Sequence, residues 1–208
     1  MKILFLGDVM GRGGRAAVVD AIPKMREAWG LDFVVVNGEN ATRGMGLSGE
    51  HAKMMLDAGA DVITLGDHAF DQKDMMAFCE QEPRIIRPLN FSKVAPGKGA
   101  RVFTARRGQK VLVTQVLGQV FMKRPFDDPF SAVDQVLRQF PLGGWCRRHW
   151  LMCTAKRHQR KWRWVIFAMG RLRSWWGRIL TCRQATRRFC LLARRFSLMR
   201  ACAAIMTA

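Results

Sequence analysis

The chain has 208 residues and a formal net charge of +19, and that charge is concentrated at one end. All sixteen acidic residues precede Trp145, while the last 64 residues hold sixteen of the 35 Lys and Arg and six of the seven Trp, so the first 144 residues carry 19 basic and 16 acidic side chains, net +3, and the tail the other +16. The pI of 11.1 thus describes the tail, and a first segment of ordinary charge is long enough to bury a core.

No apolar run reaches membrane-spanning length, and the opening Met1 to Leu6 stretch is too short for a secretory apolar region and is cut by Asp8, so a cytoplasmic protein is expected. Cys79 alone falls in the first segment. Cys146, Cys153, Cys182, Cys190 and Cys202 are scattered along the tail without CxxC pairing, which signals neither a zinc site nor a disulfide framework.

In chain order, the apolar runs 2–6, 33–36 and 62–65 read as buried parallel strands, each followed by a polar, glycine-containing loop and a stretch of helical period. The first helix is expected over about 14–28 with a kink at Pro23. The second should start at Ser48, a good N-cap, and end near Gly59, and the third should follow Asp71, with Asp71 and Asp74 in its first turn. Residues 101–105 and 110–118 around Arg107-Gly108-Gln109 look like a hairpin, and 129–139 like a further helix.

In open α/β sheets, function collects in the loops beyond the carboxyl ends of the strands. Here those loops read Gly7-Asp8-Val9-Met10-Gly11-Arg12, Asn37-Gly38-Glu39-Asn40-Ala41 and Gly66-Asp67-His68-Ala69-Phe70-Asp71. Each places a hard oxygen donor directly after a strand with glycine beside it. Three carboxylates meeting without lysine partners would repel one another unless cations neutralise them, which points to a divalent metal pair. Asp8 and Asp67 would serve one ion each, Glu39 could bridge, Asn40 could add a neutral oxygen, and His68 could be a ligand or a general acid. Taken singly these residues mean little: Asp8 would pass as a turn residue and His68 as a satisfied loop histidine. His51 reads as a solvated or packed helix residue, and Met54-Met55 and Met75-Met76 as core filler.

Together with Arg87-Pro88-Leu89-Asn90, Gly118-Gln119-Val120-Phe121-Met122 and Asp127-Asp128-Pro129-Phe130, these loops make the first 140 residues similar to the YmdB-like metallophosphoesterases, in order. The resemblance implies a calcineurin-like α/β/β/α sandwich, truncated here and followed by a disordered or irregular basic tail. It implies a dinuclear centre of iron or manganese and hydrolysis of phosphodiesters such as 2′,3′-cyclic nucleotides. It also implies metal binding by Asp8, Glu39, Asn40 and Asp67, and proton donation to the leaving oxygen by His68. The family usually has Asn at position 67, so Asp67 adds negative charge while keeping an oxygen donor. The family's further histidines, in a D-x-H-x-E-A-T-S-E stretch and in G-T-H-T-H, are absent as strings, and His149 and His158 have no recognisable context that would make them replacements.

The tail, 145–208, reads as a different composition joined to this segment at Gly143-Gly144. Trp and Met have single codons, so it can be partly back-translated. Reading the last base of each codon with the first two of the next makes Ser174 to Cys182 compatible with V-V-G-T-H-T-H-V. The same shift makes 151–161 compatible with D-V-H-x-E-A-T-S-E-K, and 198–208 with D-A-G-M-C-G-D-Y-D-S. The expectation is a one-base loss near the codons for 143–148, leaving 145–208 out of frame and not a native domain, and the chain impaired. Two other readings compete. Gly11-Arg12-Gly13-Gly14-Arg15-Ala16 offers a G-x-G-x-x-A match for a Rossmann dinucleotide site, with Glu39 as the ribose-binding acid. The Arg/Trp tail offers salt-sensitive binding to nucleic acid or an anionic membrane surface. The partner expected is a small phosphodiester, with no specific nucleic acid or membrane, and homo-oligomerisation is open.

Overall fold

The computed structural model describes residues 1–119, 122 and 124–141, and the strand backbone of 148–157, 161–169, 180–181 and 202–207. The first three apolar runs form β1 (Lys2–Gly7), β2 (Phe33–Asn37) and β3 (Val62–Thr64), separated by α1 (Gly11–Trp29) and α2 (Gly49–Asp57). After α3 (Met75–Gln81) come β4 (Ile85–Ile86), the hairpin β5 (Ala100–Thr104) and β6 (Lys110–Leu117), and α4 (Pro129–Gln139). Four stretches of the tail pair as β7 (Arg148–Arg157), β8 (Lys161–Met169), β9 (Leu180–Thr181) and β10 (Cys202–Thr207), where the sequence offered no element.

Among the described residues the strands form two five-stranded sheets, ordered β10-β1-β2-β3-β4 and β5-β6-β7-β8-β9. β1 to β4 are parallel neighbours, and β10 runs antiparallel along β1. Strand alternation then builds the layers. Leu4, Leu6, Val34 and Val36 point to the helical face, where they join Val18, Ile22, Met25, Met55 and Met75. Ile3, Phe5, Phe33 and Val35 point the other way, against Val111 and Val113 of the second sheet. The outer face of that sheet is covered by α4 through Leu112 and Val136, and through Val116 and Val133. The result is the expected α/β/β/α sandwich.

Local signals explain most element ends. Ser48 caps α2, its hydroxyl accepting from the His51 amide at 3.4 Å. Asp128 caps α4 by accepting from Phe130 N and Ser131 N, with Pro129 in the first turn. α1 ends on Gly30 at φ 58°, the left-handed conformation that lets its N–H turn back to the carbonyls of Arg26 and Glu27. α1 begins at Gly11, three residues before the expected start, and continues through Pro23. α3 begins at Met75, so Asp71 is not in its first turn, and Asp74 accepts from Gly49 N at 2.7 Å, tying α3 to the start of α2.

Candidate functional site

The carboxyl ends of β1, β2 and β3 lie side by side, and the loops that leave them are bonded to one another. After β1, Val9 N donates to Asn37 O at 3.2 Å and Gly11 N to Asn40 O at 3.0 Å, so the first loop is fastened to the second by its backbone. This route holds Asp8 at φ 52°, a left-handed conformation that short polar side chains tolerate better than most. Its Oδ1 accepts from Asn40 Nδ2 at 3.1 Å. That bond turns the Asn40 amide so that its oxygen remains for another partner.

The second loop is folded on itself and on the third. Gly46 N donates to Glu39 O at 2.6 Å, Gly38 N to Thr64 O at 3.0 Å, and the Arg15 guanidinium to Ala41 O. Glu39, only 1% exposed, sends its side chain to the third loop. A Cβ built on Gly66 would lie 1.0 Å from Glu39 Oε2, so the carboxylate occupies the space that any other residue at 66 would fill. Gly66 is therefore required for the Glu39 carboxylate to reach the third loop in this position.

In the third loop, Asp71 N donates to His68 O at 3.3 Å, closing a turn. His68 Nδ1 and Asp71 Oδ2 are 2.6 Å apart, and His68 Nε2 is 4.0 Å from Asp67 Oδ1. Arg124 reaches the other oxygen of Asp71 at 3.8 Å. Asp71 and Arg124 are the residues that sequence reasoning missed. The spacing of His68 and Asp71 was visible, but Asp71 was placed on a helix that starts four residues later.

All five expected site residues thus lie on neighbouring loops: Asp8 with Asn40, Glu39 against Gly66, and Asp67 beside His68. Among the described residues they do not form a ready cluster of three or more His, Cys, Asp or Glu around one point. Like charges at short range disfavour such a cluster, and Asp8 faces the neutral Asn40 amide instead. The donor set still suits a divalent cation. It is made of carboxylate and amide oxygens, and the Gly66 cradle holds one of them buried at the junction of two loops.

An α/β/β/α sandwich with acidic and amide donors on the loops after its parallel strands is the architecture of the metallophosphoesterases. The chain belongs to the family of YmdB-like proteins, whose model matches residues 4–149. It is 37% identical over 139 residues to a 2′,3′-cyclic-nucleotide 2′-phosphodiesterase of Bacillus subtilis (strain 168), covering 67% of this chain and 52% of that protein. The chain spans about half the length of the curated relatives it matches. Among solved structures it resembles a hypothetical protein from Thermus thermophilus, with a TM-score of 0.68 and 38% identity over 76% of this chain and 59% of that one. It also resembles a novel phosphatase from Mycoplasma pneumoniae, with a TM-score of 0.67 and 30% identity over 76% and 56%.

Membership overturns the dinucleotide reading. Gly11 and Gly13, the glycines of the G-x-G-x-x-A match, open α1 with free space around them, and the close approach to Val9, 3.3 Å from an added Cβ, belongs to Gly14 outside that pattern. The side chains of the tail, including His149 and His158, lie outside the described residues. No described helix is long and apolar enough to cross a membrane.

Proposed function

We propose that residues 1–144 are the N-terminal part of a metal-dependent phosphodiesterase acting on small phosphodiesters such as 2′,3′-cyclic nucleotides, with two divalent ions, iron or manganese. The observation that carries this reading is the pairwise meeting of three strand-end loops, Asp8 with Asn40 and Glu39 with Gly66. Asp8, Glu39 and Asp67 would hold the cations through carboxylate oxygens and Asn40 through its amide oxygen. When bound, such cations supply positive charge to the phosphoryl oxygens.

The chain's own residues do the rest. Asp71 fixes the ring of His68 through Nδ1, which leaves Nε2 to deliver a proton to the departing alkoxide. Asn40 holds Asp8 in place against the charge of its neighbours. Arg124 adds a cation 3.8 Å from the second oxygen of Asp71 and would lend positive charge to an anionic substrate held at this loop.

The reading includes impairment. The family's second-half histidine strings do not occur here, and a one-base loss near the codons for 143–148 accounts for both their absence and the change in composition. The test is metal content and hydrolysis of 2′,3′-cyclic AMP, measured side by side for this chain and its frame-corrected counterpart. We expect weak manganese retention and low turnover in the first and full values in the second. Equal turnover would overturn the impairment, and no metal-dependent hydrolysis in either would overturn the assignment.

A further inference from the structure

Two of the stretches that carry the family resemblance, Arg87 to Asn90 and Asp127 to Phe130, have no part in the site above, yet they meet. Asn90 Nδ2 donates to Leu117 O at 2.8 Å and to Asp127 O at 2.9 Å, and Asn90 Oδ1 accepts from Leu117 N. Between them, under α4, lies a cleft of about 440 Å³. That is room for a ligand of small-metabolite to nucleotide size.

Arg87 forms its floor and is only 6% exposed. Its Nε donates to Pro96 O at 3.1 Å and its Nη1 to Pro88 O at 2.8 Å, both neutral carbonyls. No carboxylate acts on it among the described residues; burial is the main influence and the Cys79 thiol the other. A buried guanidinium held only by carbonyls keeps a desolvated charge that an anion would neutralise. Nη2 makes no hydrogen bond among the described residues. The exposed rim adds Lys93, which forms no ion pair among the described residues, and the neutral donors Ser131, Gln135 and Gln139. Two acids also line the cleft: Asp128, whose carboxylate caps α4 through Phe130 N and Ser131 N, and Asp127, whose backbone carbonyl accepts from Asn90.

We propose that this cleft is a binding site for a small organic anion, whose phosphate or carboxylate sits between Arg87 and Lys93 and whose polar remainder lies along Ser131, Gln135 and Gln139. The cleft shares no residue with the proposed metal donors, although Phe91 of its lining packs against Phe70 of the third loop at 5.5 Å. Its ligand is read by a planar buried cation and a rim of neutral amides, which favours compact anions over polymers.

The experiment is a two-dimensional NMR titration of the full chain with inorganic phosphate, 3′-AMP and acetate in turn, without added metal. Saturable shifts confined to the Arg87 side-chain N–H, residues 89–99 and 129–139 are expected, and the three probes separate a phosphate site from a carboxylate site. Lys93→Ala, on the exposed rim, should weaken the bound probe roughly tenfold, and Gln135→Ala by less, with unchanged spectra elsewhere. Arg87→Lys should abolish saturation; should that variant unfold, Lys93→Ala decides alone. Shifts spread over the basic tail, or equal affinity in Lys93→Ala, would overturn the site.

Discussion

Gly66 shows how one residue can serve chemistry more than folding. Its missing Cβ is filled by the Glu39 carboxylate, the far end of a flexible side chain, so Gly66→Ala can be accommodated by moving Glu39. We expect a stability loss of no more than about 2 kcal/mol by urea titration. Manganese affinity should fall on the order of 10- to 100-fold by isothermal titration, as for other changes that misdirect a ligand. Asp71→Asn removes the charge that holds His68 Nδ1. In the frame-corrected protein it should slow hydrolysis of 2′,3′-cyclic AMP by about 100-fold but spare an activated aryl phosphodiester, whose leaving group needs no proton. The placement of Asp8, Glu39, Asn40 and Asp67 on strand-end loops was legible in the sequence, because each follows an apolar strand run closely. Asp71 was not, since its role depends on a turn, closed by the His68 carbonyl, that no local propensity announces.

At the scale of elements, α2 depends on its first turn, where the Ser48 hydroxyl cap contributes about 1 kcal/mol. The same turn carries a pH dependence. Burial, and then Arg15, hold the His51 imidazole below its usual pKa; Arg43 acts in the same sense, while Glu50 and Asp74 act against them. His51 Nδ1 lies 2.8 Å from Thr42 Oγ1. A histidine with a lowered folded pKa binds more protons unfolded, so its contribution is complete above about pH 6.5 and is lost as the pH falls through the folded value. The urea midpoint of the chain should therefore fall more steeply between pH 7 and 5 than that of His51→Gln; parallel curves would refute this. The long elements were readable from period and caps, and α4 matches its expected 129–139 to the residue. β4 was not, because Ile85 and Ile86 between two arginines are too short to show any period.

For the whole molecule, stability rests on two sheets pressed face to face. Phe33, 1% exposed, packs between them with its ring centroid 6.1 Å from that of Phe103. Phe33→Ala should lower stability by about 3–5 kcal/mol with an unchanged urea m-value, since it opens a cavity without altering the surface exposed on unfolding. The layered architecture was legible because alternation along β1 and β2 assigns each side chain to one of two cores. The strands of the tail were not, because the charged-apolar alternation of Lys161-Trp162-Arg163-Trp164 is brief and sits in an Arg/Trp-rich composition without turn signals at regular spacing.

The outer edge of the first sheet is guarded by a short segment bridged from Ile86 to Lys98, in which Gly97 passes so near Cys79 that an added Cβ would lie 3.0 Å from its sulfur. The thiol is 4% exposed, and burial pushes its pKa up, so it is shielded from alkylating reagents until that segment lifts. Cys79 is consequently a built-in clock for edge fraying: its iodoacetamide labelling, followed by peptide mass spectrometry, should lag far behind that of a denatured control and quicken in Gly97→Ala, whose backbone sits at φ 78°.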